Sequence, residues 1–171
     1  TDEKACLILK TYLSKAMLGA EQNEVEYLKK SIDQIKGNLF HYGHNFVPKC
    51  KIVIINDLLG KKQLNSIYKA SDAFVLPSRG EGFCLPAVEA LNYQKPVIMP
   101  DKGGHMGFIS KESPFLIDSK MEYCESTRDK FWSSIESIWV EPSAKSLREK
   151  MRLAFLDKQN TKQIGIEQEQ Y

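Results

Sequence analysis

The chain has 171 residues, 42% of them hydrophobic, and its 24 lysines and arginines against 22 acids leave a net charge of +2. That length supports one hydrophobic core, and the near balance of charge excludes the basic field of a nucleic-acid or anionic-membrane binder. Cysteines 6, 50, 84 and 124 are too widely spaced for paired metal ligation or a dense disulfide scaffold, and no run approaches the length of about 18 apolar residues expected of a transmembrane segment. Nothing reads as an export signal, so a reducing cytoplasmic setting is expected.

In chain order, the apolar run ACLILK (5–10) predicts a strand, and EVEYLKKSIDQIKG (24–37) a helix through Val25, Leu28, Ile32 and Ile35, ending at Gly37. KIVIIN (51–56) predicts a second strand, followed by a helix from about 63 to 70 that turns Leu64, Ile67 and Tyr68 inward. DAFVLP (72–77) and LPAVEALN (85–92) form the next strand and helix, KPVIMP (95–100) a strand bounded by prolines, and PFLID (114–118) a fifth strand. Helices are expected near 127–139 and 143–157, the first from the stripe Phe131, Trp132, Ile135, Ile138 and Trp139 at helical spacing. Short apolar strands alternating with helices predict an α/β fold, a doubly wound parallel sheet with helices on both faces. Residues 1–157 read as one domain and 158–171 as a polar tail.

In such a sheet, ligands sit at the loops that follow the strands. SRGEGFCLPAVEAL (78–91) is one of those loops running into its helix. Gly80 and Gly82 suggest a turn open to close backbone approach, and Pro86 suits the first helical position. The helix start favours a phosphate. Glu89, read as lying in the first turn with Val88 and Leu91 facing the core, makes sense there as an acceptor for two neighbouring ribose hydroxyls. Taken alone, the acids read more simply in plainer roles: Glu89 complementing the helix dipole and Glu81 filling a turn.

The longer stretch LNSIYKASDAFVLPSRGEGFCLPAVEALNYQKPVIMPDKGG resembles the donor-binding segment of the family 4 retaining glycosyltransferases, which have the two-domain GT-B architecture. Their acid, seven residues, acid signature falls on Glu81 and Glu89. The resemblance is clear over roughly 50–118 and looser elsewhere. It implies a Rossmann-like half that binds a nucleotide-diphosphate sugar, with Glu89 on the ribose and Glu81 beside the transferred sugar as the catalytic acid of the site. The backbone of Gly82, Phe83, Cys84 and Leu85 would hold sugar hydroxyls and diphosphate, with Gly103 and Gly104 near the sugar. Cys84 stands where many members have glycine. No cofactor and no metal is implied.

Family members also carry an arginine and a lysine before the first helix of this domain, and an N-terminal acceptor-binding domain. The opening TDEKACLILKTY is similar to the strand after that helix, so both are expected to be absent, supplied in the same chain or by a partner subunit. The isolated chain is then expected to be inactive. A non-catalytic nucleotide-sugar-binding subunit and a GT-B sugar epimerase are the competing classes.

Other groups carry less. His41 and His44 have chelating spacing without an evident third ligand. His105 follows the glycine pair and is a candidate for touching the sugar, and Arg79 sits beside the acidic turn as a candidate for phosphate or for solvent. The dinucleotide fingerprint GxGxxG is missing after the first strand, which demotes a dehydrogenase.

Overall fold

The computed structural model of the chain describes residues 5–11, 26–34 apart from 28, 51–123 and 138–156. The chain divides into two compact units, Thr1–Gly60 and Lys61–Tyr171. In the first, β1 (Cys6–Lys10) pairs in parallel with β2 (Lys51–Ile55), Cys6 opposite Lys51 through Lys10 opposite Ile55. Parallel neighbours need a crossover, and residues 26–27 and 29–34 between them are helical.

The second unit opens with α1 (Lys61–Ala70), whose buried residue is Tyr68, with Leu64 and Ile67 half-buried. Then follow β3 (Phe74–Val75), α2 (Leu85–Asn92), β4 (Val97–Pro100) and β5 (Leu116–Ile117). The three strands form a parallel sheet in the order β3-β4-β5, with Phe74 opposite Val97 and Met99 opposite Leu116. The central strand β4 is buried along its whole length. Its β-branched Val97 and Ile98 suit a pleated backbone, and its prolines sit where a missing N–H does least harm, Pro96 just before the strand and Pro100 at its end.

Alternation along β4 sends its side chains to opposite faces. Val97 and Met99 pack with Tyr68, Ala87, Ala90, Leu91 and Leu116, while Ile98 packs with Phe115, Ile117 and Ala154. Ala154 belongs to α3 (Ala144–Leu156), so helices cover both faces, as a doubly wound α/β arrangement requires. Val97, Ile98 and Met99 are each 0% exposed. Each such side chain contributes about 1.5–3 kcal/mol by leaving water.

One expectation is corrected. Ile138 and Trp139 are not helical: they lie in β7 (Ile138–Pro142), which pairs antiparallel with β6 (Ser119–Tyr123). Met121 opposes Val140 and Tyr123 opposes Ile138, so apolar residues share one face of this ribbon at a period of two. The rest of the expected 127–139 helix, including Phe131, Trp132 and Ile135, lies outside the described residues, as do His41, His44 and the 158–171 tail. No helix among the described residues is long and apolar enough to cross a membrane.

Candidate functional site

The acidic turn joins β3 to α2 and is held by its neighbours. Ser78 ties the turn locally: its hydroxyl accepts from the Gly80 N–H (3.3 Å) and donates to the Gly80 carbonyl (3.1 Å). The Arg79 carbonyl accepts the Val140 N–H at 2.9 Å. The Arg79 guanidinium lies 4.4 Å from the Trp139 ring and binds the Glu141 carboxylate at 2.6 Å. Arg79 is therefore committed to the β6–β7 ribbon. On the other side, the Gly104 N–H donates to the Glu81 carbonyl at 3.0 Å.

The glycines act differently from the expectation. Gly80 and Gly82 have open space where a side chain would start, and neither has a positive φ. The close approach is at Gly104, where a Cβ would land on the Gly82 carbonyl oxygen. Gly103 takes φ +133°, and a Cβ on it would meet the His105 ring at 2.7 Å. Gly103 and Gly104 are thus brought to the Glu81–Gly82 backbone by a short 3₁₀ turn, Gly104–Gly107.

Cys84 caps α2 with φ 63° and ψ 67°, a left-handed conformation, and makes no side-chain cap bond. Its carbonyl accepts from the N–H groups of Ala87 (3.0 Å) and Val88 (3.4 Å). Leu85 takes the first helical position and Pro86 the second, where a proline's missing N–H again leaves no helical bond unmade. Left-handed Cys84 directly before right-handed Leu85 turns successive N–H groups toward one point, an anion-binding arrangement. Among the described residues, the N–H groups of Gly82, Phe83, Cys84 and Leu85 have no backbone partner. Cys84 itself is buried at 6% exposure, and burial pushes its thiol pKa up, with the Glu81 charge adding to this against a backbone hydrogen bond from Ala87. Phe83 and Leu85 expose their side chains, and Phe83 leans on Phe108 at 5.1 Å.

Glu89 lies beyond the first turn of α2, as its fifth residue. Ala87, Ala90 and Leu91 are buried in the core, Val88 is half-buried, and Glu89 is exposed. Burial raises the pKa of the Tyr68 hydroxyl, and the neighbouring Glu89 carboxylate raises it further.

His105 is not on a cleft wall. It is 1% exposed, and its Nε2–H donates to the Pro100 carbonyl at 2.7 Å, so it shapes the loop from beneath. An open depression of about 450 Å³ is lined by Asp101, Lys102, Gly103, Met106, Lys111 and Leu116, and by neither acid. Burial raises the Asp101 carboxyl pKa, but hydrogen bonds from Lys102 and Ser119 and the Lys102 charge outweigh it and hold it below the usual value. Among the described residues no cluster of potential metal ligands occurs.

A parallel sheet covered on both faces, with a glycine-bearing acidic turn at the start of a helix, describes a nucleotide-binding α/β half. The sequence pattern of the family "Glycosyl transferases group 1" matches residues 16–129. The chain belongs to that family. It is 30% identical over 111 residues to the "Putative teichuronic acid biosynthesis glycosyltransferase TuaC" of Bacillus subtilis (strain 168), covering 65% of this chain and 28% of that protein. The fold is mixed α/β with parallel sheets and resembles part of a GT-B glycosyltransferase. It matches the crystal structure of Anabaena Alr3699/HepE in complex with UDP-glucose at a TM-score of 0.56 and 18% identity, over 98% of this chain and 35% of that one. The chain thus spans about a third of the length of these relatives.

Proposed function

We propose that this chain is the donor-binding half of a retaining glycosyltransferase that moves a sugar from a nucleotide-diphosphate sugar to an acceptor. The observation that carries the reading is the site's backbone: left-handed Cys84 heads α2 beside the Glu81 turn, which the Gly104 N–H latches. N–H groups at 82–85 and the positive end of α2 suit the diphosphate, on which charge grows as the bond to the anomeric carbon breaks. The electron pair leaves with the diphosphate, and the acceptor oxygen bonds to that carbon on the same face as its proton passes to the departing diphosphate oxygen. Glu81 stands by the transferred sugar, Glu89 accepts the ribose hydroxyls, and Gly103 and Gly104 border the sugar.

The UDP-glucose bound by the Anabaena protein makes that compound the first donor to test. The chain spans about a third of the length of the relatives it matches. The chain alone therefore binds donor at about 0.1–1 mM, roughly 4–5.5 kcal/mol, and transfers nothing. The free thiols of Cys6 and Cys84 suit a cytoplasmic setting.

Calorimetry with UDP and UDP-glucose tests the site. Glu89→Ala weakens both ligands by about 1–3 kcal/mol, the scale of hydrogen bonds to a charged group. Glu81→Ala weakens UDP-glucose and spares UDP. Equal effects of both substitutions on both ligands reject the assignment.

A further inference from the structure

The loop that leaves β4 is tied down in two halves. In the near half the Lys102 ammonium donates to the Asp101 carboxylate at 2.8 Å and to the Ser119 carbonyl at 2.7 Å. Gly103 follows, with no side chain and a φ of +133°, and Gly104 is equally bare, so the first side chain that can steer the far half is that of His105. Its buried ring reaches back to the end of β4, where Nε2 lies 2.7 Å from the Pro100 carbonyl. A carbonyl only accepts, so Nε2 carries the proton. Pro100 is itself fully buried and in register with Ile117 of β5. The His105 backbone is held as well, its carbonyl accepting the N–H groups of Phe108 and Ile109 at 3.1 Å each. The ring fits because Gly103 has no Cβ, which would lie 2.7 Å from Cε1 and 2.9 Å from Nδ1. Nδ1 makes no hydrogen bond among the described residues, which leaves the Nε2 bond as the polar anchor of the ring.

We propose that His105 is a positioning residue for the acidic turn, its ring tying the glycine loop to the sheet so that the Gly104 N–H meets the Glu81 carbonyl and sets the turn for the donor sugar. The inference rests on the donor-site reading above and adds to it the group that holds the sugar side in place. The Gly104 N–H reaches the Glu81 carbonyl at 3.0 Å. A peptide unit is planar and trans, so fixing that carbonyl also fixes the Gly82 N–H, which points the opposite way. The donors that follow depend less on this latch. Cys84 and Leu85 are anchored by α2, through the Cys84 carbonyl and its bonds from Ala87 and Val88. Loss of the His105 anchor therefore falls on the sugar beside Glu81 and largely spares the diphosphate. A turn already held before the ligand arrives also spares binding the ordering of that backbone.

The test combines amide exchange by NMR with calorimetry of UDP and UDP-glucose on the full chain. His105→Gln keeps an N–H at the reach of Nε2, His105→Asn stops short of it, and His105→Leu fills the space without one. In wild type and His105→Gln the Gly104 amide is protected. In His105→Asn and His105→Leu it exchanges about 3- to 10-fold faster, the scale of one hydrogen bond. The same two variants weaken UDP-glucose by about 3- to 10-fold and UDP by less than about 2-fold. In the Glu81→Ala background His105→Leu weakens UDP-glucose no further, as a double-mutant cycle requires of a residue acting through the Glu81 turn. If His105→Gln behaves like His105→Leu, if the Gly104 amide is unchanged, or if both ligands weaken equally, His105 is structural and this inference fails with the donor site intact. If the wild-type chain binds neither ligand, or Glu81→Ala binds UDP-glucose as wild type does, the donor-site reading fails and takes this inference with it.

Discussion

The two glycine pairs of the site are unlike in kind. Gly80 and Gly82 lie in the acid-bearing turn with open space around them, whereas Gly103 and Gly104 are hemmed in by the protein itself, the first by the His105 ring and the second by the Gly82 backbone. The acidic turn is therefore held from outside. Its shape comes from the Gly104 N–H on the Glu81 carbonyl, from Ser78, and from the Val140 N–H on Arg79, while its own glycines leave room for a ligand to approach. A pair that makes room and a pair that fills it should respond oppositely to an added methyl group.

The largest difference is expected at Gly104. In Gly104→Ala the new methyl coincides with the Gly82 carbonyl oxygen, and backbone cannot give way as a flexible side chain can. The loop must move and the bond to Glu81 is lost. A cost of about 3 kcal/mol or more is expected, the upper range for overpacking, read as a shift of the urea midpoint. Gly82→Ala should stay within about 0.5 kcal/mol of wild type, as surface substitutions do, while weakening UDP-glucose binding. Equal stability costs at the two positions would break the comparison. Gly103→Ala comes next, at about 1–3 kcal/mol, because φ +133° is a strained backbone for any side chain.

Most of the elements were legible because their signals are local. The apolar runs of β1, β2 and β4 and the helix 85–92 follow from hydrophobic continuity, glycine and proline. The β6–β7 ribbon was missed because Ile138 and Trp139 fit a helical spacing with earlier aromatics, while the competing period of two in SKMEY becomes decisive only once Met121 and Tyr123 face Val140 and Ile138. The two acids stood out in the sequence, but their surroundings did not. That Cys84 would be left-handed had one sequence clue, its place in a position where related chains carry glycine. The clash at Gly104 joins residues distant in the chain, and no spacing rule reports such a meeting.

Cys84 sharpens the same contrast, since it is a side chain in a conformation that glycine favours. Cys84→Val should cost about 1–3 kcal/mol, because a β-branched residue tolerates the left-handed region poorly. Cys84→Gly should remain close to wild type. Relief of the left-handed strain, about 1–2 kcal/mol, is offset by loss of the buried side chain and by a more flexible unfolded chain. Thermal unfolding of the two variants separates them by several degrees.

The smallest effect concerns pH at the packed pair's own entrance. Asp101 precedes Gly103 and binds the Lys102 ammonium at 2.8 Å and the Ser119 hydroxyl, and its pKa is lowered in the folded chain. The unfolded chain, where aspartate titrates near about 3.9, therefore takes up a proton first as the pH falls. Asp101 adds stability that is complete above that value and is lost as the pH drops through the lower folded pKa. With its side chain 35% exposed, water screens much of the interaction, and the contribution should stay below about 1 kcal/mol. Asp101→Asn is accordingly expected to lower stability slightly at pH 7 and to flatten the decline below about pH 4. Gly82→Ala, which leaves this cluster untouched, should keep the wild-type slope. An unchanged acid limb in Asp101→Asn would show that the glycine loop is held by its backbone contacts alone.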